Sequence, residues 1–409
     1  MNILVIAHAH PDFSIGGAEI AAYNLFKSVS EIRPDDSVTL LARAETKSVS
    51  PGAITQRRPR EYLWRQDMGN WFYLMTAYPE SIFLGFREFL IRQSPDLIFV
   101  HHYAHMGVEI FREIKKTVPN ARLILTLHEY VAICNRNGQM LKASSNKLCY
   151  SESLDSCNRC FPDVSEENFW LRKNYIKRHF SYVDHFVSPS YFLRSRYIDW
   201  GIPAQNITMI ENGQPDPPKL KLGQAATTRR VTFGFFGQVT EYKGLEILLK
   251  AFNQLPQHLR QSALCEVHGA NLDHQGQWLK DLIAELREPL EKEGTLRWAG
   301  PYSRDEALRR ISKVDWVVVP STWWENSPMV IQEAFVCGNP VICSGIGGMA
   351  EKVRDGIDGV HFDVSNPFDL ADKLAYILET PTFRAQLVNN IKSPPTYNEA
   401  ALSYLALAE

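Results

Sequence analysis

Two glutamates, Glu325 and Glu333, stand on either side of the predicted start of a helix in the second half of the chain. A strand is expected to end at Pro320, with Ser327 as the N-cap and Pro328 in the first helical position. The free N–H groups of that turn and the helix dipole form an anion site. Because a bound phosphate repels carboxylates, the two glutamates are expected to accept hydrogen bonds from sugar hydroxyls. Taken alone, such a pair is also typical of a solvated helix face.

Two further strand-to-helix turns in the same half contain glycine. Gly237 ends a predicted strand and is followed by Gln238 and, at the start of a helix, by Lys243. Gly347 and Gly348 follow another strand and supply backbone N–H groups near a helix start. Since the carboxyl ends of parallel strands meet at one edge of a sheet, we expect the three turns to converge. Together they predict a site for a nucleoside diphosphate.

A glycine pair near the N-terminus is a second place where backbone could approach a ligand closely. Gly16 and Gly17 follow the predicted strand Ile3–Ala7 and precede a helix with apolar residues at helical spacing. A purely structural turn is the alternative interpretation. The dinucleotide-binding sequence G-x-G-x-x-G is not found here, which disfavours an enzyme that uses NAD.

His128 ends a predicted strand in the sequence Leu-Thr-Leu-His-Glu-Tyr and is a candidate site residue. A lone histidine at a strand end is more often a hydrogen-bonded structural residue, so the motif alone does not decide its role. Three more histidines follow the preceding strand and are weaker candidates, because a polar loop would also account for them: His101, His102 and His105.

Four cysteines follow His128 within a short segment rich in Gly, Ser and Asn. Cys134, Cys149, Cys157 and Cys160 include a Cys-x₂-Cys pair, a pattern suited to a structural Zn²⁺ or, less well, to an iron–sulfur cluster. Four unrelated reduced thiols are the alternative. The remaining cysteines are expected in apolar cores: Cys265, Cys337 and Cys343.

Length, composition and charge narrow the class of protein. The 409 residues suggest two domains or three, and 45% hydrophobic residues exclude a disordered chain. The 44 Lys+Arg and 46 Asp+Glu residues nearly balance, which disfavours a nucleic-acid binder. No apolar stretch reaches the roughly 18–20 residues of a membrane span. The N-terminal apolar run lacks a basic leader and breaks at His8, so we expect a cytoplasmic protein.

Two stretches that mix basic and aromatic side chains, 56–65 and 169–180, could contact an anionic lipid surface at the inner face of the membrane. Helices that pack on their aromatic side and expose a basic face explain the same pattern. We prefer that second interpretation.

Continuous apolar runs alternate with amphipathic segments, which indicates parallel strands covered on both faces. The expected fold class is α/β, with two Rossmann-like, doubly wound domains facing across a cleft. We predict a first domain at 1–213 with a Cys-rich insertion at 134–160, a linker at 214–228 and a second domain at 229–395. A final helix, about 396–409, is placed by analogy on the first domain. The strands predicted besides Ile3–Ala7 are Val38–Ala42, Leu97–His101, Arg122–His128, His185–Ser188, Ile207–Ile210, Val231–Phe236, Leu264–His268, Thr295–Ala299, Trp316–Pro320, Val341–Ser344 and Val360–Asp363.

The second half resembles the donor domain of the family 4 glycosyltransferases. The resemblance rests on Glu325-x₇-Glu333 with Ser327-Pro328 between them, on Lys243 after the glycine turn, and on Gly347-Gly348 with Glu351 downstream. It covers most of residues 229–365. The resemblance implies a retaining enzyme of the GT-B fold that uses a nucleoside-diphosphate sugar.

By this resemblance Lys243 contacts the donor diphosphate, Glu333 binds the ribose hydroxyls and Glu325 approaches the transferred sugar. Catalysis then proceeds by front-face displacement, without a metal ion, because Lys243 and helix N-termini neutralise the leaving group. The residues whose backbone would contact sugar or phosphate are Asn326, Ser327, Met329 and Val330.

The family also has a Gly-Gly-Ala/Val-Glu stretch near the donor phosphates, which Gly16 and Gly17 match, and a histidine that contacts the sugar, which His128 matches. Gln238, after Gly237, stands where the family commonly has arginine, so part of the phosphate charge would be left to Lys243 and the backbone. The expected acceptor is a saccharide, a lipid-linked saccharide or a small molecule. An epimerase or hydrolase of the same fold, and a non-catalytic binding subunit, are the rival hypotheses.

Overall fold

The chain forms two compact units, Met1–Gly213 with Pro395–Glu409, and Gln214–Pro394. Most of the predicted linker, 214–228, lies outside the part of the chain that the structure describes. The computed structural model describes residues 1–14, 16–44, 50–216 and 230–408.

The first unit is built on a mostly parallel sheet in the order β10-β9-β8-β7-β1-β2-β4-β3, in which only the β3–β4 pairing is antiparallel. Its strands are β1 (Asn2–Ala7), β2 (Ser37–Ala44), β3 (Ile54–Arg58), β4 (Glu61–Arg65), β5 (Met68–Asn70), β6 (Met75–Thr76), β7 (Leu97–His101), β8 (Arg122–Thr126), β9 (His185–Ser188) and β10 (Ile207–Met209). Its helices are α1 (Gly17–Ile32), α2 (Pro79–Gln93), α3 (Glu109–Thr117), α4 (Leu154–Cys160), α5 (Glu166–Phe180) and α6 (Tyr191–Trp200).

The second unit has a fully parallel sheet in the order β13-β12-β11-β14-β15-β16. Its strands are β11 (Val231–Gln238), β12 (Ala263–Ala270), β13 (Leu296–Trp298), β14 (Trp316–Val319), β15 (Val341–Ser344) and β16 (Gly359–Phe362). Its helices are α7 (Leu245–Gln254), α8 (Gln257–Ser262), α9 (Gln277–Lys292), α10 (Arg304–Ile311), α11 (Met329–Val336), α12 (Gly347–Lys352), α13 (Pro367–Glu379) and α14 (Pro381–Val388). The chain then forms α15 (Tyr397–Leu405), which belongs to the first unit.

Each of the twelve predicted strands corresponds to a strand of the structure, so the α/β class and the parallel sheets are confirmed. The structure adds β3 to β6, which the sequence analysis missed. It also corrects the helical interpretation of 56–65, since this stretch lies in the β3–β4 hairpin. The other basic stretch, 169–180, does lie in a helix, α5, but Trp170 on it is 54% exposed. No helix among the described residues is long and apolar enough to cross a membrane.

The last helix completes the core of the first unit. Ala401 and Tyr404 of α15 pack in one cluster with apolar side chains of α1, β1 and β7. The Tyr404 ring meets the Phe99 ring edge-on with centroids 5.6 Å apart, and its hydroxyl lies 3.0 Å from the Thr126 hydroxyl. Phe99 and Thr126 are on neighbouring strands, so α15 anchors directly to the middle of the sheet.

We expect Tyr404→Ala to lower the free energy of unfolding by roughly 3–5 kcal/mol, because it empties a buried aromatic site. Tyr404→Phe, which loses only the hydrogen bond, should cost about 1 kcal/mol. Leu402→Ala, on the exposed side of the same helix, is the control and should change little. Urea denaturation of the three variants measures these differences; equal losses at 402 and 404 would contradict the assignment.

Candidate active site

Three adjacent strands of the second sheet, β11, β14 and β15, each lead through a short turn into a helix. Because the strands are parallel, the three turns lie at the same edge of the sheet. The predicted convergence is therefore confirmed.

Lys243 and Glu325 form an ion pair across two of these turns. Lys243 Nζ donates to Glu325 Oε1 at 2.5 Å, and the same oxygen accepts from Ser321 Oγ at 2.8 Å and from Trp323 Nε1 at 3.0 Å. The Glu325 carboxylate is buried, whereas the Lys243 side chain is 32% exposed. One carboxylate oxygen thus gathers three donors, and its cationic partner is accessible to solvent.

The environment of Glu325 favours its charged form. Burial alone would raise the pKa of the carboxyl, but the positive charge of Lys243 and the hydrogen bonds from Lys243, Ser321 and Trp323 outweigh it and lower the pKa. The site therefore presents an ionised carboxylate next to an ammonium group. An anionic ligand can compete with Glu325 for Lys243, because Glu325 has two other donors.

Glycines allow the three turns to pack backbone against backbone. Gly244 has a φ of 69°, and a Cβ there would lie 1.9 Å from the Pro320 carbonyl oxygen. A Cβ on Gly348 would lie 1.8 Å from the Asn326 carbonyl oxygen, while the Gly348 N–H donates to the Glu325 carbonyl at 2.9 Å. Any larger side chain at either position would push the turns apart.

The start of α11 corrects the predicted cap. The helix begins at Met329, and Pro328, with a φ of −65° and a ψ of 114°, occupies the N-cap position predicted for Ser327. Among the described residues the Ser327 hydroxyl, which is buried, has no hydrogen-bond partner. The first-turn N–H groups of a helix have no partner within it, so the turn from Asn326 to Val330 offers backbone donors and one hydroxyl.

Glu333 lies one turn into α11 and is half-buried. Burial raises the pKa of its carboxyl, and the charge of Arg304 opposes that rise. Burial raises the pKa of the Tyr302 hydroxyl, and the negative charge of Glu333 raises it further.

Gln238 is exposed at the end of β11, and a Cβ on Gly237, whose φ is 139°, would meet nothing within 4 Å.

The glycine pair of the first unit forms the start of α1. Gly16 is the N-cap and Gly17 the first helical residue. Glu19, in the first turn, accepts a hydrogen bond from Ser14 Oγ at 2.7 Å and lies 3.4 Å from His8 Nε2. Burial alone would raise the pKa of Glu19, but His8 and Ser14 lower it to about 2. An ionised carboxylate therefore holds the glycine loop against the end of β1.

His128 belongs to a cluster of histidine rings at the ends of β1, β7 and β8. These three strands are adjacent in the sheet, with β7 between the other two. His128 Nε2 lies 3.1 Å from His101 Nδ1, and the His8 ring lies 4.3 Å from the His102 ring. Burial and the neighbouring imidazoles lower the pKa of His128 and His102 well below the usual value, and lower that of His101 to about 3. The imidazoles of His101, His102 and His128 are therefore neutral at physiological pH.

His8, Glu19, Ser321 and Trp323 are site residues that the sequence analysis missed. His8 directly follows β1, and strand ends of a parallel sheet are where ligands bind, so its position was a usable signal. Glu19 completes the Gly-Gly-Ala-Glu stretch and was also recognisable. Nothing in the sequence distinguishes Ser321 and Trp323 from other loop residues.

The four cysteines of the insertion, Cys134, Cys149, Cys157 and Cys160, are half-buried and line one cavity in the first unit. Burial, together with Glu152 and the nearby thiols of Cys134 and Cys149, raises the pKa of Cys157 to about 11. Within the described ranges no group of three or more His, Cys, Asp or Glu side chains is arranged to hold a metal ion. The remaining three cysteines are buried, as predicted: Cys265, Cys337 and Cys343.

Two family models match the chain. Residues 15–214 match the model described as Glycosyltransferase Family 4, and residues 221–393 match the model described as Glycosyl transferases group 1. A D-inositol 3-phosphate glycosyltransferase of Rhodococcus jostii is 27% identical over 352 residues, which are 84% of this chain and 72% of that protein. A Nocardioides enzyme of the same name is 30% identical over 166 residues, but the match spans only 37% of this chain and 35% of that protein.

Solved structures give the same fold. HepE of Anabaena, in complex with UDP, has a TM-score of 0.66 at 16% identity, with both chains fully covered. At this identity the likeness concerns the fold, which is that of the GT-B glycosyltransferases. With family models matching both halves of the sequence, the chain belongs to the family 4 glycosyltransferases.

Proposed function

We propose that this glycosyltransferase transfers a sugar, with retention of its anomeric configuration, from a nucleoside-diphosphate sugar to a saccharide, lipid-linked or small-molecule acceptor. The observation that carries the proposal is the Lys243–Glu325 pair at the edge of the second sheet, where three strand-to-helix turns meet and Gly244 and Gly348 let their backbones touch. It places a solvent-accessible cation for phosphate beside an ionised acceptor for sugar hydroxyls.

Among known nucleotides, UDP is the first to test. The HepE structures were solved with UDP and with UDP-glucose, and this chain shares their fold. The relatives named D-inositol 3-phosphate glycosyltransferase are sugar-transferring enzymes by name, which favours transfer over epimerisation. They do not specify the acceptor of this chain.

In the proposed reaction Lys243 leaves Glu325 and binds the diphosphate, together with the N–H groups at the start of α11. The bond between the sugar's anomeric carbon and the diphosphate oxygen breaks, and the acceptor oxygen bonds to that carbon on the same face. The acceptor's proton passes to the departing diphosphate oxygen. Glu325 accepts hydrogen bonds from the sugar, and Glu333 from the ribose hydroxyls. Stabilisation of the leaving charge therefore carries catalysis.

In the first unit we assign Gly16 and Gly17 to the donor phosphates and His128 to the sugar. The glycine loop lacks side chains that would hold phosphate away from the backbone. His128 is neutral because of its burial, so it contributes a hydrogen bond and no charge. Because Gln238 is uncharged, Lys243 is the cation that these assignments place at the diphosphate.

A panel of nucleotides and nucleotide sugars in a thermal-shift assay tests the donor class, because a ligand that binds the native state raises its melting temperature. We expect a nucleoside diphosphate to give a larger shift than the monophosphate or the free sugar. Donor consumption without any acceptor would indicate a hydrolase or epimerase. Binding without turnover, whatever acceptor is supplied, would indicate a non-catalytic subunit.

Lys243→Ala and Glu325→Gln should each reduce transfer by roughly 100-fold or more, the size of effect found when one charge-stabilising group is removed. The glutamine in Glu325→Gln keeps an oxygen that can accept the hydrogen bonds from Ser321 and Trp323, so we expect this variant to fold like the natural protein. The matched control is the exposed pair Lys292–Glu288, 2.6 Å apart on α9, whose alanine and glutamine variants should retain full activity. Initial rates at saturating donor measure the effect. Undiminished transfer in Lys243→Ala and Glu325→Gln would remove both residues from the site.

Glu19→Gln tests the carboxylate that holds the glycine loop. Since the pKa of Glu19 falls from 4.5 to about 2 on folding, its charge stabilises the folded state at neutral pH, and this stabilisation is lost as the pH falls from 4.5 towards 2. The variant should be less stable than the natural protein at pH 7, by up to about 3 kcal/mol, and the difference should vanish near pH 2. Glu31→Gln, on the exposed side of α1, is the control. In urea denaturation, a difference that persists at low pH would contradict this account.

A further inference from the structure

A cavity of about 370 Å³ in the first unit is lined by the four cysteines of the 134–160 insertion. It lies outside the set of residues assigned to the donor. Nothing in the proposed transfer uses these thiols, although the first of them follows His128 by only six residues.

Each thiol is placed at the cavity by local backbone structure. The Cys134 N–H donates to the Tyr130 carbonyl at 2.8 Å within a turn, and the Cys149 N–H donates to the Met140 carbonyl at 2.8 Å beside the antiparallel bridge between Leu141 and Leu148. Cys157 and Cys160 lie three residues apart on α4 and therefore on one face of that helix. Four sulfur-bearing side chains from three separate segments thus border one space.

The segment that carries the last three cysteines, 142–160, has no buried residue of its own. Every residue from 142 to 160 is exposed or half-buried, and α4 buries none of its side chains. A segment of this kind cannot be stabilised by apolar burial, and small elements without a core commonly depend on disulfides or a structural metal.

The charges around the cavity suit an anionic cluster. Arg136, Lys142 and Lys147 line it, with Glu152 as the one acidic side chain among its lining residues. A zinc ion held by four thiolates carries a net charge of about −2, which these basic residues would balance.

We propose that this cavity binds one structural Zn²⁺ through the thiolates of Cys134, Cys149, Cys157 and Cys160. The four thiols release their protons to solvent on binding, and the ion takes four sulfur ligands in a tetrahedron. In the described structure the four thiols are not arranged as a metal site, so binding requires their side chains to turn toward a common point. Cys149 must give up the hydrogen bond from its Sγ to the Ser151 carbonyl, which is 3.3 Å long.

The bound ion would brace the loop that follows His128. Arg172 of α5 already fixes this loop, since its guanidinium donates to the carbonyls of Val131 and Ala132, just before Cys134. Zinc would tie the far end of the same loop to α4.

Elemental analysis of the full chain, purified without added metal, should find about one Zn per molecule. Cys157→Ser and Cys160→Ser should each lower the bound zinc at least tenfold and lower the melting temperature. Cys337→Ser, a thiol of the second unit, is the matched control and should keep its zinc. Replacement of zinc by cobalt should give the absorption bands of thiolate-bound, tetrahedral Co²⁺, a signature independent of transferase activity.

Less than about a tenth of an equivalent of zinc in folded protein, with all seven thiols titratable after denaturation, would overturn the proposal. Iron in stoichiometric amount would overturn the identity of the ion, and fewer titratable thiols would show a disulfide in its place. Because these readouts do not involve sugar transfer, a failure of the proposed activity would leave them unaffected.

Discussion

The ion pair between Lys243 and Glu325 is the interaction on which the candidate site of the second unit depends. It joins the turn after β11 to the turn after β14 and keeps a buried carboxylate from being left without a counter-charge, which would be costly. The hydrogen bonds from Ser321 and Trp323 give Glu325 an alternative set of partners. When the lysine exchanges the carboxylate for a phosphate in the proposed reaction, Ser321 and Trp323 still donate to Glu325, which partly offsets the loss of its counter-charge.

This exchange requires the turns to be close, and glycine makes that closeness possible. At Gly244 and Gly348 a neighbouring carbonyl oxygen occupies the space of a Cβ, so the turns touch through their backbones. The adjacency of β11, β14 and β15 then sets which turns meet. The contact between Lys243 and Glu325 therefore depends on three features together: the opposite charges of the pair, the glycines that let the turns approach, and the order of the strands.

The parts that sequence reasoning predicted were those with a local cause. Buried parallel strands are continuous apolar runs, and strand-to-helix turns carry glycine, so both were recognisable. The strand β3 was missed because its residues after Ile54 are exposed and polar, and it is held by pairing with β4 and not by burial. Ser327 failed as the cap because the extended ψ of Pro328 delays the helix by one residue. The contact of His8 with His102 depends on the order of β1 and β7, which no local pattern encodes.

The histidine cluster of the first unit and the ion pair of the second offer different kinds of chemistry. Lys243 and Glu325 are charged, whereas burial keeps His101, His102 and His128 neutral. A hydrogen bond between His101 and His128 requires one ring nitrogen to donate and the other to accept, which two protonated imidazoles cannot do. Neutral imidazoles suit uncharged hydroxyls and would do little for a phosphate.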